Sequence, residues 1–265
     1  MNIPGAIDHI TDWLRAHCER TGQRGFVVGV SGGVDSALTS TLCARTGLPT
    51  LCVEMPIHQA HAQVQRAQDH ITWLRERHPN VRLEVVQLTA VFDALVAALP
   101  KDDDPRQLEL SLANTRARLR MTTLYYFAGV LRYLVAGTGN KVEDFGVGFF
   151  TKYGDGGVDL SPIADLTKTE VFAMARELGV IESILRAKPT DGLWGDDRSD
   201  EDQIGASYPE LEWAMDLRYR GVDIRHQELT DRQHQVLAIF DQRHAANRHK
   251  MEPIPVCLIP EGFRE

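Results

Sequence analysis

A short apolar run that leads directly into a pair of glycines does most to limit the folds open to this chain. Residues 25–30 read Gly-Phe-Val-Val-Gly-Val and carry no charge, and Ser31-Gly-Gly-Val-Asp-Ser36 follows at once. A short, nearly continuous apolar run is typical of a strand buried on both faces of a parallel sheet. Backbone amides at a glycine turn before a helix face a bound anion. The segment therefore predicts an α/β fold with an anion site after its first strand.

Further strands and helices alternate along the chain. An apolar stripe at spacings of three and four, formed by Ile3, Ile7, Ile10 and Leu14, predicts an amphipathic first helix. Strands are predicted over 51–55, 83–88 and 133–136, and helices over 34–46, 59–77 and 107–131. Such alternation is typical of a doubly wound parallel sheet flanked by helices. We expect one domain over residues 1–265, with helices in the C-terminal third.

Charge and composition exclude some partners. The formal net charge is −8 and the pI is about 5.7, whereas nucleic-acid-binding domains usually have a basic stripe and a pI above about 9. Charged side chains interrupt the N-terminal apolar positions, so neither a signal peptide nor a membrane span is predicted. The four cysteines form no C-x-x-C pair, which is typical of structural thiols in a reducing compartment. A cytoplasmic protein is expected.

The Ser31–Ser36 loop has the residue types of a pyrophosphate site. Gly32 and Gly33 let the backbone approach phosphate oxygens, and the two serines add hydroxyl donors. Asp35 offers a carboxylate to a magnesium ion that bridges phosphates. The alternative is a serine-capped glycine turn in which Asp35 is an ordinary helix-start carboxylate. The loop matches neither G-x-x-x-x-G-K-[ST] nor G-x-G-x-x-G.

The loop resembles the S-G-G-x-D-S pyrophosphate loop of the ATP pyrophosphatase superfamily, whose members adenylate a carboxylate or carbonyl oxygen. Blocks at 137–143, 149–159, 189–194 and 200–201 narrow the resemblance to the NAD synthetase family. That resemblance implies an adenine nucleotide alpha hydrolase-like fold and a homodimer. It also implies conversion of deamido-NAD, ATP and ammonia to NAD, AMP and pyrophosphate with Mg²⁺, through an acyl adenylate.

The resemblance also implies roles for individual residues. Asp35 and Glu143 are expected to bind magnesium, and Ser31 and Lys168 to take part in catalysis. A catalytic role for Asp155 is a separate hypothesis that rests on chemical grounds. The residues expected to bind ATP are Gly29, Val30, Ser31, Gly32, Gly33, Val34, Asp35, Ser36, Thr138, Lys168 and Thr190. Those expected to bind deamido-NAD are Arg120, Lys152, Asp159, His249 and Lys250.

Chemical reasons support two of these roles. A lysine in the first turn of a helix opposes the helix dipole, so Lys168 indicates a nearby anion, for which a departing pyrophosphate is suitable. Ammonium is not a nucleophile, so a carboxylate such as Asp155 in the glycine-rich 148–158 loop is needed to bind it and take its proton. We expect this loop to be mobile and to close over a ligand. The alternative for Asp155 is a turn aspartate that shapes the loop.

The chain departs from the family pattern after its second strand. Glu54 stands before Met55-Pro56, where many relatives carry an ATP-contacting arginine, and residues 58–61 replace an acidic stretch. The segment between Glu143 and Lys152 is also one residue longer than in some relatives. Because only about 25 residues precede the first predicted strand, free ammonia is the expected donor, unless a separate glutaminase supplies it.

Other interpretations remain open at this stage. A tRNA thiolase or another amide synthetase can use the same fold, although the acidic pI argues against the thiolase. A nucleotide sensor without activity is a third possibility, against which the presence of Asp35 and Glu143 argues. The charged cluster at 101–106 is interpreted as a solvated loop and not as a metal site.

Overall fold

A four-stranded parallel sheet organises the molecule. The computed structural model describes residues 1–100, 104–190, 199–221 and 228–264. The strands are β1 (Phe26–Gly29), β2 (Thr50–Glu54), β3 (Val81–Val85) and β4 (Leu134–Val135). Their order is β3-β2-β1-β4, and Val27 of β1 pairs with Leu51 on one side and Val135 on the other. The strand order therefore changes direction at β1, with β2 and β3 on one side of it and β4 on the other. Open α/β sheets bind ligands at such a switch point.

Helices cover both faces of this sheet. One face carries α1 (Ile3–Arg20), α2 (Val34–Arg45), α3 (His61–Arg77) and α6 (Lys168–Glu177), and the other carries α4 (Thr89–Ala98) and α5 (Pro105–Leu131). Phe26 and Val28 lie in the apolar cluster with α1, α2 and α6, whereas Val27 lies in the cluster with α4 and α5. Alternate strand residues thus bury opposite faces of the sheet, which confirms the predicted α/β fold.

A second cluster of helices fixes the segment that follows β4. Residues Lys141–Val147 form a π-helical turn, and α7 (Glu182–Leu185), α8 (Asp200–Ile204), α9 (Tyr208–Tyr219) and α10 (Asp231–Met251) follow. Val142 and Val147 are buried with Leu211 of α9 and Phe240 of α10. A short 3₁₀ turn, Glu261–Phe263, lies near the end. The π-helical turn is therefore held between the sheet edge and two helices.

The third predicted strand is wrong at both of its ends. The predicted strand at 83–88 lies instead at Val81–Val85, where only Val81 is fully buried. The amides of Val86 and Leu88 then bond to the carbonyls of Glu54 and Pro56, at 2.9 and 3.2 Å, and lead into α4, which the sequence did not predict. The sheet is buried less at this edge, so a continuous apolar run is a poor guide there.

The structure also tests the predicted first helix and the predicted start of the long helix α5. The stripe at the N-terminus is confirmed, since Ile7 and Leu14 are buried in α1. The Asp104 side chain accepts hydrogen bonds from the amides of Arg106 and Gln107, so α5 begins two residues earlier than predicted. Residues 101–103 of the charged cluster lie outside the described residues. Within the described part of the chain, no helix is both long and apolar enough to cross a membrane.

Candidate active site

A cavity of about 240 Å³ opens at the carboxyl ends of β1 and β2. Its walls come from the Ser31–Ser36 loop, the end of β2, one side of α5, the segment after β4 and the start of α6. The predicted ATP, metal and catalytic residues that line it are Gly29, Val30, Ser31, Gly33, Val34, Asp35, Ser36, Thr138, Glu143, Asp155, Lys168 and Thr190. Gly32 lines a small adjoining pocket that shares Ser31, Gly33 and Thr190.

The glycine loop is built tightly against α3. Gly32 has a φ of +86°, and a Cβ at this position would lie 2.6 Å from the carbonyl oxygen of Gln63. Ser36 donates from its Oγ to the carbonyl of Gly33 at 3.0 Å and accepts from the amide of Ser31 at 3.2 Å. Gly33 is the N-cap residue directly before α2 and has no side chain to cap the helix. The first amides of α2 therefore have no capping side chain, and amides in this position are suited to bind an anion.

A buried lysine joins two carboxylates at the base of this cavity. Lys168 Nζ lies 2.6 Å from Asp35 Oδ2 and 2.8 Å from Glu143 Oε1, and its side chain is only 3% exposed. Thr167 and Glu170 form a capping box that starts α6 at Lys168. The cation therefore opposes the helix dipole, as the sequence indicated, and the anions that stabilise it are Asp35 and Glu143.

Two residues that the sequence analysis missed complete this network. Asn140 donates from Nδ2 to Asp35 Oδ1 at 3.1 Å, and its own Oδ1 accepts from the amides of Val142 and Glu143. Tyr208 donates its hydroxyl to Glu143 and lies 3.1 Å from Asp200 Oδ2. An asparagine just before a helical turn is a recognisable cap signal. No local pattern marks Tyr208, which is 65 residues from Glu143.

The network shifts the proton affinities of its members in different directions. Burial raises the pKa of Asp35, and the negative charge of Glu143 adds to this rise, against the effect of Lys168. Burial also acts to raise the pKa of Glu143, but the Lys168 ammonium and the Tyr208 hydroxyl outweigh it, so this pKa is lowered. The two carboxylates raise the pKa of Lys168 despite its burial. Lys168 is therefore charged at any ordinary pH.

Two more carboxylates lie nearby. Asp155 reaches solvent through the cavity, and its Oδ1 accepts from the amide of Thr151 at 2.9 Å. Desolvation by the surrounding protein raises its pKa. Asp144 lies against Gly139, where a Cβ would be 1.9 Å from Asp144 Oδ2. Burial and the charges of Asp155 and Glu143 raise its pKa well above the usual range. Asp155 thus both shapes the loop and faces the cavity.

The residues predicted to bind deamido-NAD are more dispersed. Arg120 lines the cavity and donates to the Met55 carbonyl at 3.1 Å and to Gln59 Oε1 at 2.8 Å. Asp159 accepts from the Val135 amide and the Tyr125 hydroxyl. Lys152 Nζ donates to the His249 carbonyl at 2.6 Å, and Lys250 Nζ donates to the Phe150 carbonyl at 2.7 Å. Asp159, Lys152, His249 and Lys250 do not line this cavity.

The donor set fits magnesium. Asp35 and Glu143 are two carboxylates that already converge on one cationic group, Lys168 Nζ. Within the described ranges, no three His, Cys, Asp or Glu side chains form a metal-binding group. Magnesium is commonly held by one or two carboxylates together with substrate phosphates and water, so a carboxylate pair beside the Ser31–Ser36 loop suits this ion.

Sequence comparisons identify relatives of this chain among known proteins. A family model described as NAD synthase matches residues 6–254. The curated "NH(3)-dependent NAD(+) synthetase" of Carboxydothermus hydrogenoformans is 42% identical over 212 residues, covering 77% of this chain and 82% of the relative. The protein of the same name from Archaeoglobus fulgidus is 36% identical over 261 residues and 98% of both chains.

A solved structure resembles this fold along nearly its whole length. "NMN synthetase from Francisella tularensis" has a TM-score of 0.82 and 29% identity, covering 98% of this chain and 99% of that one. The match to the family model spans most of the chain, and the curated relatives exceed 30% identity over most of their own length. The chain therefore belongs to the NAD synthase family, whose members are enzymes of the ligase class.

Proposed function

We propose that this chain amidates deamido-NAD with ammonia, using ATP as co-substrate and forming an acyl adenylate, to give NAD, AMP and pyrophosphate. The observation that carries the proposal is the Asp35–Lys168–Glu143 network, which lies beside a helix-initiating glycine loop in a cavity that Asp155 also lines. This arrangement combines an anion site, a fixed positive charge and a carboxylate proton acceptor within one cavity.

The glycine loop binds the triphosphate in this proposal. Amides at the start of α2 and the hydroxyls of Ser31 and Ser36 donate to phosphate oxygens, because helix N-termini favour anions. Thr138 and Thr190 add donors from the opposite wall. The charge of Lys168 stabilises the negative charge that develops as pyrophosphate departs from the α-phosphate.

Asp35 and Glu143 would hold Mg²⁺, which when bound neutralises phosphate charge and polarises the phosphoryl oxygens. Asn140 fixes the Asp35 carboxylate, and Tyr208 fixes that of Glu143, so both ligands are oriented before a nucleotide enters.

Asp155 acts in the second half of the reaction. Its carboxylate binds ammonium and accepts one proton, and the freed lone pair forms the C–N bond at the acyl carbonyl carbon. The C–O bond to AMP then breaks, AMP leaves with that electron pair, and the nitrogen loses its second proton to the departing AMP phosphate to give the neutral amide. The raised pKa of Asp155 favours proton transfer from ammonium. The Thr151 amide holds Oδ1, which leaves Oδ2 for the substrate.

The nicotinate-bearing substrate has two candidates. Deamido-NAD is favoured by the names of the curated relatives, and Arg120 supplies a cavity-lining cation for it. Nicotinate mononucleotide is the second candidate, because the structure that matches at a TM-score of 0.82 is described as an NMN synthetase. Both share the carboxylate that is amidated.

We also propose that the enzyme is a cytoplasmic homodimer without nucleic-acid partners. The exposed apolar side chains Tyr126 and Val130 on α5 support a protein contact. The buried free thiols of Cys18, Cys43 and Cys52 support a reducing compartment.

The proposal is tested with purified chain, ATP and Mg²⁺, by measuring pyrophosphate and the amide product. Deamido-NAD and nicotinate mononucleotide are supplied in separate reactions, each with ammonium chloride or with glutamine. NAD formed with ammonium, and lost in Lys168→Met, supports the proposal. Product from the mononucleotide alone selects the second candidate, and product from glutamine indicates an amide donor other than free ammonia. Bound ATP without any pyrophosphate contradicts the proposal.

A further inference from the structure

Glu54 is a buried carboxylate in the nucleotide cavity to which the reaction above gives no role. It is the last residue of β2, only 3% exposed, and it lines the cavity. A carboxylate at this place needs explanation, because burial of a charge without compensating donors is strongly unfavourable. The groups around Glu54 therefore show which hydrogen-bond donors its carboxylate has and which a ligand could add.

The protein satisfies only part of the hydrogen-bonding capacity of the Glu54 carboxylate. Gln68 Nε2 lies 3.0 Å from one oxygen and 3.4 Å from the other. Among the described residues, no other side chain bonds to the Glu54 carboxylate and no cation forms an ion pair with it. An ionised carboxylate has about four acceptor sites, so about half of this capacity remains for a bound molecule that donates hydrogen bonds.

The sheet places Glu54 beside the phosphate loop. The amide of Val30 bonds to the carbonyl of Val53 at 3.0 Å, so the end of β2 lies next to Ser31. Neighbouring strands are about 4.8 Å apart. A group that meets Glu54 is thus within one strand spacing of the phosphates, as a nucleotide ribose is. Phosphate itself is repelled by the carboxylate.

Two further features favour a ribose. The cavity that Glu54 lines also has apolar lining at Met55, Val64, Ala67 and Leu124, which suits a nucleotide base. In Rossmann dinucleotide-binding folds, an Asp or Glu about 20 residues beyond the glycine loop hydrogen-bonds the ribose 2′-hydroxyl, and Glu54 follows Gly33 by a similar interval. We propose that Glu54 accepts hydrogen bonds from the ribose hydroxyls of ATP and makes this chain selective for ribonucleotides, an inference that rests on ATP being the nucleotide bound.

The test is direct binding by calorimetry with Mg²⁺ and ATP, 2′-deoxy-ATP, 3′-deoxy-ATP or inosine triphosphate. Wild-type chain should bind ATP more tightly than the two deoxy analogues, by about 10- to 100-fold, because a hydrogen bond to a charged acceptor is lost. Glu54→Gln should bring these ratios to within about 3-fold while keeping an acceptor for Gln68. Glu84→Gln, an exposed carboxylate on β3, is the matched control and should behave as wild type.

Other outcomes overturn the inference. Equal wild-type affinity for ATP and both deoxy analogues removes the ribose contact, whether or not the variant folds. A Glu54→Gln chain that weakens all nucleotides equally assigns Glu54 to structure. A change confined to the ATP-to-inosine ratio assigns it to the adenine amino group. Amide formation is measured on the same samples, so a failed reaction counts against the proposed function while the binding ratios still decide the role of Glu54.

Discussion

Two parts of the candidate site differ in what their charged groups contact. In the loop-side half, formed by the Ser31–Ser36 loop, Glu143 and Lys168, side chains bond to side chains inside the cavity. In the α10-side half, formed by Lys152, Asp159, His249 and Lys250, the polar atoms bond mainly to the main chain. Lys152 and Lys250 each donate to a carbonyl across the contact between α10 and the 148–158 loop.

This difference indicates two ways of preparing a site. The loop-side half is arranged before substrate arrives, which lowers the reorganisation needed in the transition state. The α10-side half instead ties a loop to a helix, with His244 and Asn247 adding bonds to the carbonyls of Gly146 and Val147. Under the proposed function, its ammonium groups exchange carbonyl partners for anions when the dinucleotide binds.

Removal of Lys168 should have the largest effect. Lys168→Met leaves Asp35 and Glu143 buried without their shared cation, which costs about 3–5 kcal/mol of folding stability. Turnover should fall by at least about 100-fold, because the charge opposite the leaving pyrophosphate is lost. Urea unfolding and product formation measure the two effects.

Lys141→Met is the matched control for this change. Lys141 pairs with Asp165 at 2.8 Å, but the Asp165 side chain is 96% exposed. Loss of such a pair should cost no more than about 1 kcal/mol. Equal unfolding midpoints for the two variants would show that the loop-side half is not held by its ion pairs.

Asp155→Asn should have the next largest effect, and on only one half-reaction. Asparagine keeps an oxygen that accepts from the Thr151 amide, so the loop turn is retained. Amide formation should fall by about 100- to 10,000-fold. A single turnover of pyrophosphate should persist, because adenylation does not use this carboxylate. Rapid-quench measurement of pyrophosphate and NAD separates the two steps.

The pH dependence gives a second measurement of the same role. A protonated Asp155 cannot accept a proton, so at constant free ammonia the wild-type rate should fall as pH drops through its raised pKa, above the usual aspartate range. Asp155→Asn should lack this decline. A variant with normal turnover would leave Asp155 as a residue that only shapes the loop.

Changes in the α10-side half should be smaller and specific to one substrate. Lys152→Met and Lys250→Met should each raise the KM for deamido-NAD about 10-fold, the loss expected for one charge-assisted contact. The affinity for ATP should be unchanged. Arg248→Met, which removes an exposed pair with Glu252, is the control on the same helix. If ATP affinity falls equally, the two halves act as one unit and the comparison is wrong.

The same comparison explains what the sequence predicted. The loop-side half depends on a strand, a glycine turn and the sheet's carboxyl edge, so a local pattern placed Asp35 there. The family resemblance, and not a local pattern, placed Glu143 and Lys168 beside it. Tyr208 escaped prediction because its contact with Glu143 depends on how α9 packs. Helix α4 was missed although its alanines favour a helix. The carbonyl partners of Lys152 and Lys250 follow from tertiary packing alone, which no local pattern encodes.

The smallest expected effect concerns Asp144, whose carboxylate lies close to those of Asp155 and Glu143 and adds negative charge beside the loop-side half. No hydrogen bond to the Asp144 carboxylate occurs in the described part of the chain, and burial with Asp155 and Glu143 raises its pKa well above the usual range. The folded state therefore prefers protonated Asp144. The stability that this proton contributes is complete below the unfolded pKa of about 3.9 and is lost as pH rises through the raised folded pKa.

Asp144→Asn should imitate the protonated form at every pH. Its advantage in unfolding free energy over wild type should be near zero at pH 4 and grow to about 1 kcal/mol at neutral pH, the scale of relief from one unsatisfied polar group. Urea unfolding across this range measures it, with Asp69→Asn, an exposed carboxylate on α3, as a control that should show no such trend. A loss of stability instead would mean that Asp144 contributes to the loop-side half as an ionised group, and that the surplus charge there is compensated.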